Sequence, residues 1–250
     1  MNNLEITPLG TVSPYCKQNK NCPGFLIKSS TKKVLLDCGN GISRLLKFPS
    51  DLKDLIIIIS HLHKDHYSDL SSIGYASFIY KNLGIIDKRI RVYIPYNPNT
   101  SDFQYLMNFG LENHLEFITY NCQDILYHGN MKISFSLNPH QIITHSIKIE
   151  TPSKTVVYSS DTGYTNNTLE KFANNCNLLI CEASFLKDQS RKGNNHLYAH
   201  EAALIAKKAN VKKLVLTHFW PEIDKQLYVN EAKKTFKNVS AAEESKTIIV

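Results

Sequence analysis

Three histidines and one aspartate lie within the six residues HLHKDH, directly after the apolar run LIIIIS. A single histidine after a strand is more often a hydrogen-bonded structural residue than a ligand. Four such residues in one loop instead form a set of imidazole and carboxylate ligands. In an extended segment His61 and His63 face the same way and can chelate one ion. Asp65 and His66 lie where a helix begins and can serve a second ion. Zn is the default metal for these ligands, with Mn, Fe, Co or Ni as alternatives.

Apolar periodicity predicts the elements that must position these residues. Strands are predicted over LEIT, GFLIKS, KVLLD, LIIIIS, IRVYIP, LEFITY, MKISFSL, HSIKIE, KTVVYSS, NLLICEA, KLVLTHF and KTIIV. Helices are predicted over ISRLLKF, residues 65–82, SDFQYLMNF, residues 198–208 and residues 229–236. Polar residues follow several of the strands directly. Strands broken by helices in two halves predict an α/β fold of sheets covered by helices, with functional side chains on the loops at strand ends.

The HLHKDH run matches the HxHxDH signature of the metallo-β-lactamase superfamily, and LDCGNG upstream resembles that superfamily's strand-end loop. The resemblance extends from about Thr7 to the C-terminus. It implies a four-layer αββα metallo-β-lactamase-like sandwich. No Pro-, Gly- and Ser-rich linker or internal repeat divides the chain, so residues 1–250 are predicted to form a single hydrolase domain.

The resemblance also implies the remaining ligands. His140 in NPH follows one predicted strand, with His145 as its rival because it lies five residues further on. Asp161 in KTVVYSSDTG takes the place of the bridging aspartate, and His218 in KLVLTHFWP takes the place of the last ligand. The implied cofactors are two divalent metal ions. The implied groups are His61, His63 and His140 on one ion, and Asp65, His66 and His218 on the other, bridged by Asp161.

Two further segments resemble the ribonuclease Z group. ICEASF, with Glu182, is similar to its HEAT motif, although Cys181 replaces the histidine. The segment HLYAHEAALIAKKANVKKLVLTHF places His196 at the extra catalytic histidine, whereas His200 falls on a helix. The implied reaction is phosphodiester hydrolysis by a hydroxide shared between the metal ions. Asp65 would orient that hydroxide, and His196, held by Glu182, would protonate the leaving oxygen.

One departure narrows the substrate. Ribonuclease Z carries a long transfer RNA-binding arm between the counterparts of His140 and Asp161, where only a short hairpin fits here. The missing arm argues against transfer RNA as the substrate. The alternatives left open are a hydrolase of lactones, thioesters or other esters, and a non-catalytic metal-bound binding or sensing protein.

Composition sets the remaining expectations. The net charge of +7 favours an anionic small-molecule or nucleotide-like substrate. The longest aliphatic run is far too short to span a membrane, and MNNLEITPLG lacks the pattern of a signal peptide, so we expect a cytoplasmic protein without membrane contact. The six cysteines form no CxxC pair and are expected to be buried or half-buried free thiols. The sequence does not decide whether the protein forms a homodimer. It also does not decide whether residues 13–24 form a rim over the metals or a plain solvated loop.

Overall fold

The computed structural model describes residues 3–108, 114–165 and 167–250. Within these residues, two sheets of seven strands each are formed. The first sheet contains β1 (Glu5–Gly10), β2 (Gly24–Lys28), β3 (Lys33–Leu36), β4 (Leu55–Ile58), β5 (Ile90–Pro95), β6 (Leu115–Tyr120) and β14 (Ile248–Ile249). The second sheet contains β7 (Ile125–His128), β8 (Met131–Leu137), β9 (His145–Glu150), β10 (Thr155–Tyr158), β11 (Leu178–Glu182), β12 (Leu214–Thr217) and β13 (Val239–Ala241).

The strand orders are β14-β1-β2-β3-β4-β5-β6 and β13-β12-β11-β10-β9-β8-β7. Strands β3 to β6 are parallel in the first sheet, and β10 to β13 are parallel in the second. The helices are α1 (Lys64–Tyr67), α2 (Leu70–Asn82), α3 (Ser101–Asn108), α4 (Thr168–Phe172), α5 (Ala199–Lys208) and α6 (Lys225–Lys233), with a 3₁₀ turn at Ser43–Leu45. In the part of the chain that is described, no helix combines the length and apolar character needed to cross a membrane.

Alternating side chains on the parallel strands build three apolar layers. On β4, Ile56 and Ile58 join the core between the two sheets, whereas Ile57 packs into the core under α2 and α3. On β11, Ile180 faces the other sheet and Leu179 faces the core under α5 and α6. Strands buried on both faces need continuous apolar runs such as LIIIIS. The predicted four-layer αββα sandwich is confirmed.

The boundaries differ from the prediction where side chains bond to the backbone. The helix predicted over residues 65–82 is broken into α1 and α2 at Asp69, whose carboxylate accepts hydrogen bonds from the backbone of Gly41 and Ser43. The last helix begins at Lys225, earlier than predicted, because Asp224 caps it by accepting from the Gln226 N–H at 2.9 Å. Strands β7 and β13 and the short helix α4 were not predicted, and ISRLLKF forms only the 3₁₀ turn.

The cysteine prediction was correct only in part. All six are free thiols, but Cys16 and Cys122 are exposed rather than buried.

Candidate metal centre

The predicted site residues meet at the edge where the parallel strands of both sheets end. His61, His63, Asp65 and His66 follow β4, His140 follows β8, Asp161 follows β10, Glu182 ends β11, and His218 follows β12. His196 precedes α5 on a loop. Loops at one edge of a rigid sandwich bring residues from distant parts of the sequence together. All nine predicted residues are therefore neighbours.

His61, His63, His140 and Asp161 form the first cluster, in which the candidate ligand atoms all lie within 4.8 Å of one another. His61 Nε2 is 3.0 Å from His63 Nδ1, and His140 Nε2 is 3.3 Å from the same atom. The Oδ2 atom of Asp161 lies 3.5 Å from His61 Nε2. Three imidazole nitrogens and one carboxylate oxygen are a ligand set that suits zinc.

Asp65, His66 and His218 form the second cluster within the same limit of 4.8 Å. Asp161 also faces this cluster, because its Oδ1 atom is 3.0 Å from His218 Nε2 and 3.5 Å from His66 Nε2. Burial alone would raise the pKa of the Asp161 carboxyl, but His218, His66 and His61 hold it well below its usual range. The two oxygens of one ionised carboxylate thus face the two clusters.

Three buried atoms make no well-aligned hydrogen bond: His66 Nε2 and His218 Nε2 of the second cluster, and the Oδ1 atom of Asp161 that faces them. Buried polar atoms without partners are costly and rare in folded proteins. Here the three atoms lie side by side and include imidazole nitrogens and a carboxylate oxygen, which are common metal ligands. The residues present therefore fit divalent metal ions.

In four of the five histidines of the two clusters, the ring nitrogen that faces away from the clusters has a partner that fixes the orientation of the ring. Such partners set which nitrogen carries the proton and leave the other as a ligand. His66 Nδ1 pairs with Asp37 Oδ2 at 2.7 Å, His140 Nδ1 with the Asn195 carbonyl at 2.9 Å, His218 Nδ1 with Ser184 Oγ at 2.9 Å, and His61 Nδ1 with Ser60 Oγ at 3.1 Å. Sequence analysis did not assign these partners a role in the site.

Asp37 is the most heavily bonded of these partners. Besides His66, its fully buried carboxylate accepts from the Ser60 N–H at 2.7 Å, the Ser60 hydroxyl at 2.9 Å and the Tyr158 hydroxyl at 2.7 Å. Its φ of 59° and that of His218, 64°, are in the left-handed region that residues other than glycine seldom adopt. The backbone thus turns sharply after β3 and β12, and strained residues of this kind cluster at functional sites. Asp37 is the aspartate of the LDCGNG motif, and that motif is the sequence signal from which its role could have been predicted.

Glu182 and His196 form a hydrogen-bonded pair beside the clusters. The Glu182 carboxylate is 1% exposed and accepts from the Thr162 N–H at 2.8 Å and the Ser184 hydroxyl at 2.7 Å. His196 Nδ1 lies 3.0 Å from Glu182 Oε1. Burial lowers the pKa of His196, but the charge and hydrogen bond of Glu182 outweigh it and raise that pKa to about 9. The contact with Glu182 therefore favours the protonated form of His196.

His196 also lies close enough to Asp161 and His218 to complete a third possible ligand group. Its Nδ1 atom, however, is 3.9 Å from Asp161 and only 3.0 Å from Glu182. The His196 side chain is 26% exposed, whereas that of His218 is 4% exposed. A protonated, partly exposed imidazole is better suited to proton transfer than to metal binding.

The segment of residues 13–24 adjoins the centre through Ser13. The Ser13 hydroxyl donates to Asp65 Oδ2 at 2.8 Å, and the Ser13 N–H donates to the Phe219 carbonyl at 3.0 Å. Further along the segment, the Tyr15 hydroxyl donates to Glu222 at 2.8 Å. This segment is therefore bonded both to a candidate ligand and to the loop after His218.

Two other histidines lie apart from the clusters. His145, the rival of His140, is a buried residue of β9 whose pKa is lowered to about 4 by burial, and its ring centroid lies 5.1 Å from that of Tyr120. His200 on α5 pairs with Glu231 at 3.0 Å. Neither belongs to a ligand group among the described residues.

Comparisons with known proteins agree with this geometry. A family model described as "Beta-lactamase superfamily domain" matches residues 32–219. This chain belongs to that family. It is 27% identical to the "Probable metallo-hydrolase YhfI" of Bacillus subtilis over 216 residues, which cover 86% of both proteins. The crystal structure of YhfI superposes with a TM-score of 0.90 at 26% identity and covers 100% of both chains.

A second relative is "Ribonuclease Z" of Clostridioides difficile, which is 27% identical over an alignment of 301 positions covering 96% of each protein. Because 301 positions exceed the 250 residues of this chain, the alignment includes segments that the chain lacks. The crystal structure of a diphosphatase from the PhnP family shares the fold, with a TM-score of 0.77, 14% identity and coverage of 99% and 97%. The predicted membership of the metallo-β-lactamase superfamily, with a relationship to ribonuclease Z, is confirmed. The chain is a metallo-hydrolase homologue with a His/Asp cluster able to bind metal.

Proposed function

We propose that this protein is a hydrolase of phosphodiesters with two divalent metal ions, zinc being the first candidate. His61, His63 and His140 would hold one ion, Asp65, His66 and His218 the other, and Asp161 would bridge them. The observation that carries the proposal is the position of Asp161. One of its oxygens lies 3.5 Å from His61 and the other 3.0 Å from His218. A bridging carboxylate requires this arrangement.

The metal ions would polarise the substrate and lower the pKa of a water molecule. The remaining tasks belong to the side chains of the chain itself. Asp65, whose Oδ2 accepts from Ser13 at 2.8 Å, would orient the attacking water and accept its proton. His196 would donate a proton to the leaving oxygen, with Glu182 holding its Nδ1 atom.

Phosphorus rather than carbonyl carbon is favoured by the pair of Glu182 and His196. The pair corresponds to the glutamate and the extra catalytic histidine of the ribonuclease Z group, which cleaves phosphodiesters, whereas carbonyl-cleaving relatives usually lack it. The contact with Glu182 also raises the pKa of His196 and so favours the protonated form that can donate to a leaving alkoxide. Two of the similar proteins are named as a ribonuclease and a diphosphatase, which supports the same chemistry. The net charge of +7 favours an anionic small-molecule or nucleotide-like substrate.

The short connection between His140 and Asp161 supports a substrate smaller than transfer RNA. Only the antiparallel hairpin of β9 and β10 occupies this part of the chain. The longer alignment with ribonuclease Z is consistent with a missing insertion.

The test is metal reconstitution followed by elemental analysis and parallel assays. We expect about two metal equivalents and hydrolysis of bis(p-nitrophenyl) phosphate in preference to a thioester. His218→Ala should lower the metal content to about one equivalent. His200→Gln is the matched control, because His200 pairs with Glu231 outside the clusters. This substitution should leave the metal content and the rate of hydrolysis unchanged.

Three results would contradict the proposal. Less than one equivalent of metal in the reconstituted protein argues against the two-metal site. Preferential thioester cleavage would assign the centre to carbonyl chemistry. Full metal content without turnover of any ester or phosphodiester would indicate a binding or sensing protein.

A further inference from the structure

A cavity of about 480 Å³, open to solvent on its outer side, lies between the start of α1 and the helix α3. Its lining residues are Lys64, Ser101, Asp102, Gln104, Tyr105 and Asn108. Lys64 directly follows the candidate ligand His63, and α3 follows β5, the parallel neighbour of β4. Because parallel strands end at the same edge of a sheet, the cavity shares an edge with the metal clusters. Its volume lies within the range of about 300–1,000 Å³ usual for ligand sites.

The wall formed by α3 is bonded to the loop that carries the candidate ligands. Asp102 on α3 accepts hydrogen bonds from Lys64 and from the hydroxyl of Tyr67, and Lys64 also donates to that hydroxyl at 2.8 Å. Tyr67 is 4% exposed and directly follows His66. These contacts fix the position of the cavity relative to the second metal cluster.

The same contacts decide the charge of the cavity. The Lys64 ammonium group and the Asp102 carboxylate are in direct contact as an ion pair. Their opposite charges therefore neutralise each other. The cavity has no excess positive charge to attract a second phosphate, so its ligand should be uncharged.

The other lining residues offer hydrogen bonds and an aromatic ring. Tyr105 is 45% exposed, and Lys64 Nζ lies 5.6 Å from its ring centroid. Asn108 donates to Gln104 Oε1 at 2.8 Å, and Gln104 donates to the Pro98 carbonyl at 2.8 Å. Each amide has two N–H donors and an oxygen with two lone pairs, so these bonds leave further donors and acceptors for a ligand.

We propose that this cavity binds an uncharged, planar group with hydrogen-bonding edges, namely a nucleobase attached to the phosphodiester. The inference rests on the proposed function and adds a subsite to it. The ring of Tyr105 would stack on the base, while Gln104 and Asn108 would bond to its edges. Stacking of bases on aromatic side chains is effective for any base. The cavity would thus select nucleotides over simple alkyl phosphodiesters.

The experiment compares two substrates with the same leaving group, thymidine 5′-(p-nitrophenyl phosphate) and methyl p-nitrophenyl phosphate. We expect the metal-loaded protein to prefer the nucleotide, and Tyr105→Ala to lower the ratio of the two kcat/KM values about tenfold. Tyr105→Phe should retain the ratio because the ring is kept. Tyr127→Ala is the matched control, since Tyr127 is 74% exposed on β7, outside the cavity lining. An unchanged ratio in Tyr105→Ala would overturn the inference.

Calorimetry separates this inference from the proposed function. Thymidine 5′-monophosphate and methyl phosphate are titrated into the metal-loaded protein, so the measurement does not depend on turnover. We expect tighter binding of the nucleotide, and loss of that preference in Tyr105→Ala. Equal affinities in the unmodified protein would refute the subsite even if both diesters were cleaved. If neither diester were cleaved, the proposed hydrolysis would fail, while the two affinities would still decide whether the subsite exists.

Discussion

Replacing Glu182 by glutamine removes the charge that keeps His196 protonated and leaves a side chain of nearly the same size. The Glu182 carboxylate accepts from Thr162 N at 2.8 Å, the Ser184 hydroxyl at 2.7 Å and Leu197 N at 3.2 Å, as well as pairing with His196 at 3.0 Å. A glutamine supplies one acceptor oxygen and one NH₂ donor. The NH₂ group of the glutamine must therefore face groups that are themselves hydrogen-bond donors, so some of the hydrogen bonds made by Glu182 are lost.

The size of the effect follows from the pKa of His196. Burial lowers this pKa, whereas the charge and the hydrogen bond of Glu182 raise it. The effect of Glu182 is the larger, and the resulting pKa of His196 is about 9. A raised pKa means that the imidazole is protonated below about pH 9 and loses its proton as the pH rises through that value. Without the charge, the pKa should fall to about 6.5 or below, the ordinary value for histidine. At about pH 8 the protonated fraction would fall roughly thirtyfold, from about 0.9 to about 0.03.

The assay is the pH dependence of kcat/KM for two diesters, one releasing p-nitrophenol and one releasing an alkyl alcohol. For the alcohol, the alkaline limb should move from about pH 9 to about pH 6.5 or below in Glu182→Gln, with a loss of at least about thirtyfold at pH 8. The loss should be much smaller for p-nitrophenol, because that leaving oxygen needs no proton. Glu116→Gln, which changes an exposed glutamate on β6, should match the unmodified protein. An alkaline limb that stays near pH 9 in Glu182→Gln would refute the proton-donor role.

Three further predictions concern the surroundings of the metals. Ser184→Ala removes a hydroxyl that accepts from His218 and donates to Glu182, so metal affinity measured by titration should fall about 10–100-fold, with recovery in Ser184→Thr. Gly39→Ala would place a Cβ atom 2.0 Å from the Asp65 carbonyl oxygen, and the enforced shift should lower the free energy of unfolding by about 1–3 kcal/mol in a urea titration. Removal of metal by a chelator should abolish hydrolysis and lower the Tm seen by calorimetry, and added zinc should restore both; an unchanged Tm would contradict ion binding to the folded state.

The sheets could be predicted from the sequence because strands buried on both faces need continuous apolar runs. LIIIIS and KLVLTHF predicted β4 and β12, and the residues after them are candidate ligands. Breaks and ends of helices were harder. Apolar periodicity continues across Asp69, yet the helix stops there because the carboxylate bonds to the backbone of Gly41 and Ser43. A side chain bonded to another loop leaves no periodic signal.

In the site, as in the fold, features set by local sequence could be predicted, whereas contacts between distant residues could not. Residue type and spacing, read against a family signature, could identify candidate ligands such as His66 and His218. Their partners Asp37 and Ser184 could not be identified in this way, because an aspartate or serine after a strand is common and its use depends on the fold. Asp37 is 29 residues from His66, and Ser184 is 34 residues from His218. These partners nevertheless hold the imidazoles in the one orientation that directs Nε2 toward Asp161. A chain with the correct HLHKDH run but without such partners should therefore bind metal more weakly and lose hydrolysis before it loses its fold.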